Sequence, residues 1–433
     1  MDPTTSEAAP GAAIARVIGV VGAGTMGAGI AQLALEAGLR VLIHDPDPAA
    51  VRRAGDRIED GIARRTRRRS PADDGLVKRT VAQAMGRLEE AADLGHLARA
   101  SDVVIEAALE DLALKRRLFA GLDAAAEPGT ILATNTSALV VGAIAAATAH
   151  PERVIGLHFF NPAPVMALVE VVAPPAADPA VVLAATELVR SWGKTAVRTA
   201  DTPGFIVNRV NRPFTLEALA LLEAGLGSVE SIDGAVRAAG YPMGPFELMD
   251  LVGIDINLAA ARGIYQAFRY EPRFRPSPIQ ERLVEAGRLG RKTREGFYWY
   301  GDDGRSLGQA GAFAADPIPP ADASPAILAL PGGGPAGKHQ VEPDPVASDP
   351  LVERIVLAIV NEAYRALGDG VASAADIDLA LRLGAGHPVG PFERTAALGG
   401  PAAVVARLER WGSASPRFVP APALLEAAER PPA

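Results

Sequence analysis

The 433-residue sequence contains no cysteine. Disulfides, thiolate metal sites and a cysteine nucleophile are excluded together, no metal site is expected, and the usage suits a cytoplasmic protein. No apolar run is long enough to cross a bilayer: residues 17–22 fall far short of the ~20 required. Residues 1–15 hold Asp2 and Glu7 but no lysine or arginine, so the positive start and apolar stretch of a secretory signal are missing. Positive charge is scarce overall. Lys and Arg number 43 against 51 Asp and Glu, a net −8, which argues against a nucleic-acid partner. What is present is 49% hydrophobic and 22% charged residues, the balance of a globular protein with a core. The length suggests two or three domains.

Short β-branched runs at residues 16–21, 40–44, 102–107, 130–134 and 153–160 read as strands, with helical patterns at 26–37 and 112–126 between them. This alternation predicts a doubly wound α/β domain with a mainly parallel sheet over residues 1–200. Helical patterns dominate 201–300. A Pro/Gly/Ala-rich stretch, 301–349, reads as a linker, and 350–433 is helical again. The second helical block repeats the first. Arg209, Glu217-Ala218, Ser228, Ile232-Asp233 and Pro242-Met243-Gly244-Pro245-Phe246-Glu247 recur as Arg354, Glu362-Ala363, Ser373, Ile377-Asp378 and Pro388-Val389-Gly390-Pro391-Phe392-Glu393. The offset is 145 residues, then 146 after an insertion near 384–387. The all-α part is therefore expected to be duplicated.

Gly22-Ala23-Gly24-Thr25-Met26-Gly27 lies between the first strand and the first helix, and Asp45 closes the second strand about 20 residues on. This is the dinucleotide fingerprint. Gly22 permits a tight turn, Gly24 lets backbone approach a pyrophosphate, and Gly27 allows close packing of the helix, whose positive end faces the phosphates. Asp45 can accept from a free ribose hydroxyl and repels a 2′-phosphate, so NAD is favoured over NADP.

His158 lies in a strand ending at Asn161-Pro162, a turn signal, and Glu170 lies in the next apolar run, 168–172. If the two strands fold back on each other, the carboxylate stands beside the imidazole. It then fixes the tautomer and raises the basicity needed to take a proton from an alcohol. By themselves Ser137 and Asn208 read as a helix cap and a turn residue.

Most of the chain resembles the 3-hydroxyacyl-CoA dehydrogenase family. The likeness is carried by Gly22 to Gly27, Glu106, Glu110, Lys115, Asn135-Thr136-Ser137, His158-Phe159-Phe160-Asn161-Pro162, Glu170, Thr202-Pro203-Gly204-Phe205-Ile206-Val207-Asn208-Arg209, Gly244-Pro245-Phe246-Glu247-Leu248, Gly290-Arg291-Lys292-Thr293 and Gly296-Phe297-Tyr298. The resemblance implies a Rossmann-like domain followed by duplicated helical C-terminal domains, and NAD-dependent oxidation of an (S)-3-hydroxyacyl-CoA thioester. It implies His158 as base, Glu170 as its orienting partner, and Ser137 and Asn208 as hydrogen-bonding groups for the reacting oxygen. Ser137, Glu110, Lys115, Asn161 and Lys292 would contact NAD. The arginine run 64–69 falls where the family places a helical arm against coenzyme A, and Arg68 is the single residue chosen for that contact. The two-copy layout is similar to members serving the phenylacetate route, and fatty-acid β-oxidation is the other setting. In simpler members the helical domain pairs two subunits, so either a homodimer or a monomer with an internal pseudo-dimer is implied.

Two positions depart from the pattern. Gly61 stands where members often have serine, and Arg294 stands where they usually have glycine, which predicts a strained backbone if φ is positive there. The second copy has Glu353 for Asn208 and Ala396 for Asp250, so a second active site is not expected. The alternatives are a β-hydroxyacid dehydrogenase of free acids and a non-catalytic NAD-binding protein.

Overall fold

In the computed structural model, which describes residues 15–311, 349–412 and 415–430, the chain divides into two compact units between Thr202 and Pro203. Most of the segment read as a linker, and residues 1–14, on which the expectation of no secretory signal rests, lie outside the described residues.

Apolar β-branched runs form the centre of the first unit. Its strands are β1 (Val17–Val21), β2 (Arg40–His44), β3 (Leu88–Glu90), β4 (Val103–Glu106), β5 (Ile131–Thr134), β6 (Val154–Phe159), β7 (Leu168–Ala173) and β8 (Thr195–Ala200). They make one sheet in the order β3-β2-β1-β4-β5-β6-β7-β8. Neighbours run parallel except β6 and β7. Strands buried on both faces read as continuous apolar runs, which is why β1, β2, β4, β5 and β6 are visible in the sequence. Between β1 and β4 the strand order reverses, and the crevice at the carboxyl ends of such strands is where doubly wound sheets bind ligands.

Helix Thr25–Glu36 lies against the sheet with every residue from Gly27 to Leu35 buried. Helix Pro48–Arg69 is capped by Asp47, whose side chain accepts from Ala49 N, and starts with proline at its first position, where the missing N–H costs nothing. Gly61 lies on its inner face: a Cβ there would fall 2.2 Å from Gln32 Oε1, so glycine lets the two helices approach.

The second unit is helical and twofold repeated. The segment Val207–Val210 with Arg212–Glu223 corresponds to Pro350–Gly368, Val229–Ala238 to Ala374–Gly384, and Pro245–Val252 to Pro391–Ala397. The match runs further than the sequence pattern. Ile254–Ala267 answers Pro401–Trp411, the 3-10 turn Pro272–Phe274 answers Pro416–Phe418, and Pro278–Glu285 answers Pro422–Glu429.

The repeated motif has a physical role in both copies. Asp233 accepts from Phe246 N and Glu247 N, each at 3.0 Å, and caps the helix that Gly244-Pro245 begins. Asp378 does the same for Phe392 N and Glu393 N. A Cβ on Gly244 or Gly390 would strike that aspartate at 2.2 or 2.3 Å, so the glycine and the distant aspartate require each other.

The two copies exchange ion pairs reciprocally. Arg209 Nε donates to Glu362 Oε1 at 2.9 Å, and its counterpart Arg354 donates from Nε to Glu217 Oε1, the counterpart of Glu362, at 3.0 Å. Arg273 and Arg417, equivalent residues of the two 3-10 turns, reach the remaining oxygens of Glu362 and Glu217. Equivalent glycines Gly240 and Gly386 each pack against the other copy's proline, Pro388 and Pro242. This is the pattern of an isologous interface, formed within one chain.

Two features differ from the sequence reading. Strands β3 and β8 were not foreseen, and Ser306–Gln309, inside the supposed linker, is β10, paired antiparallel with β9 (Tyr298–Tyr300). Asp250 anchors this hairpin by accepting from Phe297 N, Tyr298 N and Tyr300 Oη. Its counterpart Ala396 offers no such acceptor.

Candidate active site

The fingerprint loop leaves β1 through Gly22, whose φ is +98° and whose N–H donates to His44 O. A Cβ on Gly22 would meet Ala107 O at 2.7 Å, one on Gly27 would meet Gly22 O at 1.8 Å, and one on Gly24 would meet nothing within 4 Å. The first and third glycines are thus required by close backbone approach, while the second faces open space. Ala23 N donates to Asp45 Oδ2 at 2.9 Å and Asp47 N to Asp45 Oδ1 at 3.0 Å, which fixes the carboxylate beside the loop. Thr25 and Met26 open the helix with its N–H groups directed at the same space. These residues fit a dinucleotide: an open backbone stretch for a pyrophosphate and an oriented carboxylate for a ribose.

Across the sheet, His158 and Glu170 stand directly opposite each other in the antiparallel pair β6–β7, so their side chains share one face. His158 Nδ1 lies 2.6 Å from Glu170 Oε2, and Ser137 Oγ lies 3.1 Å from Nε2. The histidine is 4% exposed and the glutamate fully buried. A carboxylate can only accept, so Nδ1 carries the hydrogen and Nε2 presents a lone pair to the Ser137 hydroxyl.

Ser137 reaches the histidine because its neighbours secure the turn. The Thr136 hydroxyl donates to Glu110 Oε1 at 2.5 Å and accepts from Leu139 N, and Glu110 also accepts from the N–H groups of Ser137 and Ala138. The following helix, Val141–Ala145, has Val140 at its N-cap. Ser137 is therefore no cap. Asn135, one residue from Thr136, accepts from Phe159 N at 2.8 Å and holds the backbone beside His158. Lys115 is 1% exposed, with its ammonium 2.7 and 2.9 Å from the two oxygens of Glu106 and 3.4 Å from Glu110. Glu106 also accepts from Thr134 Oγ1 and Ala108 N. Lys115 thus joins the buried Glu106 to the exposed Glu110 at the turn.

Asn161 is exposed just past β6. Beyond it Lys194 ties the turn between β6 and β7, with its Nζ donating to the carbonyls of Ala163, Pro164 and Met166. Neither Thr136, Asn135 nor Lys194 was assigned a role from the sequence; polar residues in loops carry no periodic signal that marks them.

Of the arginine run, Arg64, Arg67, Arg68 and Arg69 are exposed. Arg65 is committed to Glu36 Oε2 at 2.8 Å and Pro164 O at 3.1 Å. On the helical unit, Asn208 sits half-buried in the short helix Val207–Val210. Lys292 is paired with Asp255, 2.5 and 2.7 Å from its oxygens. Arg294 does adopt the left-handed conformation, φ 61° and ψ 6°, and its carbonyl accepts from Tyr300 N. Among the described residues no helix is long and apolar enough to cross a membrane.

Both units are similar to known proteins. The family description "3-hydroxyacyl-CoA dehydrogenase, NAD binding domain" matches residues 17–202, and "3-hydroxyacyl-CoA dehydrogenase, C-terminal domain" matches 204–300 and 351–427. The chain is 40% identical to the 3-hydroxyadipyl-CoA dehydrogenase of Escherichia coli K12, over 89% of this chain and 91% of that one. It is 41% identical to a 3-hydroxybutyryl-CoA dehydrogenase of Mycobacterium tuberculosis over 65% of this chain and 98% of the relative. A crystal structure of 3-hydroxybutyryl-CoA dehydrogenase from Escherichia coli K12 superposes with a TM-score of 0.80 at 37% identity, covering 96% of this chain and 98% of the other. With a dinucleotide loop, an imidazole–carboxylate pair and family matches in both units, the chain belongs to the 3-hydroxyacyl-CoA dehydrogenase family of NAD-dependent oxidoreductases.

Proposed function

We propose that the protein oxidises the 3-hydroxyl of an (S)-3-hydroxyacyl-CoA to a ketone, reversibly, with His158 as the base. The supporting observation is the ring of His158 bracketed by Glu170 at Nδ1 and a hydroxyl at Nε2. Nε2 takes the O3–H proton, and Glu170 stabilises the imidazolium that forms. Ser137, whose hydroxyl can rotate, and Asn208, assigned through the family resemblance, donate to the C3 oxygen as its charge changes. NAD⁺, held by the residues of the fingerprint loop, would supply the acceptor for the hydride from C3.

Gly22, Ala23, Gly24, Thr25, Met26 and Gly27 would hold the pyrophosphate, and Asp45 the adenosine ribose. Glu110, Ser137 and Asn161 would border the nicotinamide end. Lys115, paired with Glu106 and 3.4 Å from Glu110, is assigned to NAD by the resemblance. Lys292 is assigned to NAD by the resemblance alone. Arg68 would meet the phosphates of coenzyme A. The reciprocal pairing of the helical copies supports a monomer in which the second copy takes a partner subunit's place. A chain without cysteine, in which no described helix is long and apolar enough to cross a membrane, suits the cytoplasm.

The test is an NADH-oxidation assay over a panel of 3-ketoacyl-CoA thioesters, with free 3-keto acids in parallel. Thioester turnover is expected, falling about a thousand-fold or more in His158→Gln while NADH binding persists. Turnover of free acids alone, or an active His158→Gln variant, overturns the reading.

A further inference from the structure

Arg212 opens the helix Arg212–Glu223 and is 6% exposed. Among the described residues its Nε has no hydrogen-bond partner. Among the described residues no carboxylate pairs with it, and burial pushes its pKa down, to about 10. Arg209 and Arg354, similarly buried nearby, are each held by a glutamate.

The second copy shows what the scaffold requires at this position. The offset that aligns Arg209 with Arg354 and Glu217 with Glu362 aligns Arg212 with Leu357, which is fully buried. An apolar side chain fills the equivalent place, so packing of the helix does not call for a guanidinium. A buried cation without a counter-charge is unfavourable, and such groups concentrate where a ligand completes them.

Arg212 follows Asn208 by four residues, through Asn211 in right-handed helical conformation. The two share one helix face, about 6 Å apart along the axis. Helical side chains lean toward the N-terminus, which carries the guanidinium over the turn bearing Asn208. We propose that Arg212 binds a second carboxylate at the far end of the acyl chain, selecting dicarboxylyl thioesters. This rests on the reading above, in which Asn208 contacts the oxygen on C3. In a six-carbon diacid thioester three C–C bonds of ~1.5 Å separate C3 from the distal carboxyl carbon. That extended span, roughly 4 Å, leaves the carboxylate within hydrogen-bonding distance of a guanidinium one turn from Asn208, where two parallel N–H···O bonds can form. A four-carbon acyl chain carries no such group and leaves Arg212 unpaired.

The experiment compares wild type, Arg212→Leu and Arg212→Lys in NADH oxidation with 3-ketoadipyl-CoA and acetoacetyl-CoA. Arg212→Leu installs the residue that the second copy already buries, and circular dichroism checks that it folds. The ratio of kcat/KM for the diacid over the four-carbon substrate should fall at least about thirty-fold in Arg212→Leu, mainly through KM, with partial recovery in Arg212→Lys. A ratio unchanged within threefold, or an equal loss on both substrates, overturns the proposal while leaving the dehydrogenase reading intact. A wild-type protein that reduces neither thioester overturns both.

Discussion

Nδ1 of His158 lies 2.6 Å from Oε2 of Glu170, across a strand pair in which the two residues face each other. The carboxylate is wholly buried and cannot donate, so it dictates which imidazole nitrogen carries the hydrogen. Glu170→Gln replaces it with an amide that can donate to Nδ1 and stabilise the wrong tautomer. kcat should fall by about a hundred- to ten-thousand-fold, with NADH affinity unchanged by fluorescence titration. A kcat within tenfold of wild type would show that tautomer control does not depend on this pair.

Asp45 is held by Ala23 N and Asp47 N at the end of β2. In Asp45→Ala the acceptor for a ribose diol is lost, and so is the charge that repels a 2′-phosphate. KM for NAD⁺ should rise about tenfold or more, a loss of at least one charge-assisted hydrogen bond, while KM for NADP⁺ stays level or falls. Equal losses for both cofactors would count against the assignment.

Glu217 and Glu362 each receive two arginines, both from the other copy. Glu217→Gln leaves the guanidinium groups of Arg354 and Arg417 without a carboxylate, at a cost of about 3–5 kcal/mol in denaturant unfolding; Glu362→Gln should cost less, because Arg209 keeps Asp369 and Arg273 keeps Glu271. Glu281→Gln, which breaks the exposed pair with Arg262, should cost about 0.5 kcal/mol or less. Sedimentation of the wild type should give a monomer; a stable dimer would mean that these contacts do not replace a subunit interface.

Lys194 is pushed down to about 8 by burial, reinforced by Arg65. Between that value and the ordinary 10.5 the unfolded chain binds more protons at this group than the folded one. Its contribution to stability therefore rises as pH rises from 8 toward 10. The melting temperature of wild type relative to Lys194→Met should increase across that interval. A difference that stays flat from pH 7.5 to 10 would show that the ammonium among three carbonyls titrates normally.

Much of the fold could be read from the chain because both-face burial leaves continuous apolar runs. β2 spans residues 40–44 as read, and the helix read at 112–126 is Leu112–Ala125. β3, Leu-Glu-Glu at a sheet edge, has no such run, and β8 carries Arg198 on an exposed position. The fingerprint glycines and the His158–Glu170 pair were legible because chemistry fixes their residue types. The duplication was legible as order and spacing, but not which glutamate each arginine would reach, since that depends on how the copies pack. Within the arginine run, the sequence could not separate Arg65, turned to Glu36 and Pro164, from exposed Arg68. Arg212 passed unnoticed for the converse reason: a cation near a helix start looks like a solvated surface residue until its burial is known.

Joining both halves of a symmetric contact in one polypeptide removes a constraint on change. When two identical chains meet, every substitution appears on both sides of the axis and must be tolerated twice. Here Asp250 can hold a hairpin while position 396 is alanine, and Arg212 can stay charged while position 357 is leucine. One half is free to specialise for chemistry, and the other for cohesion.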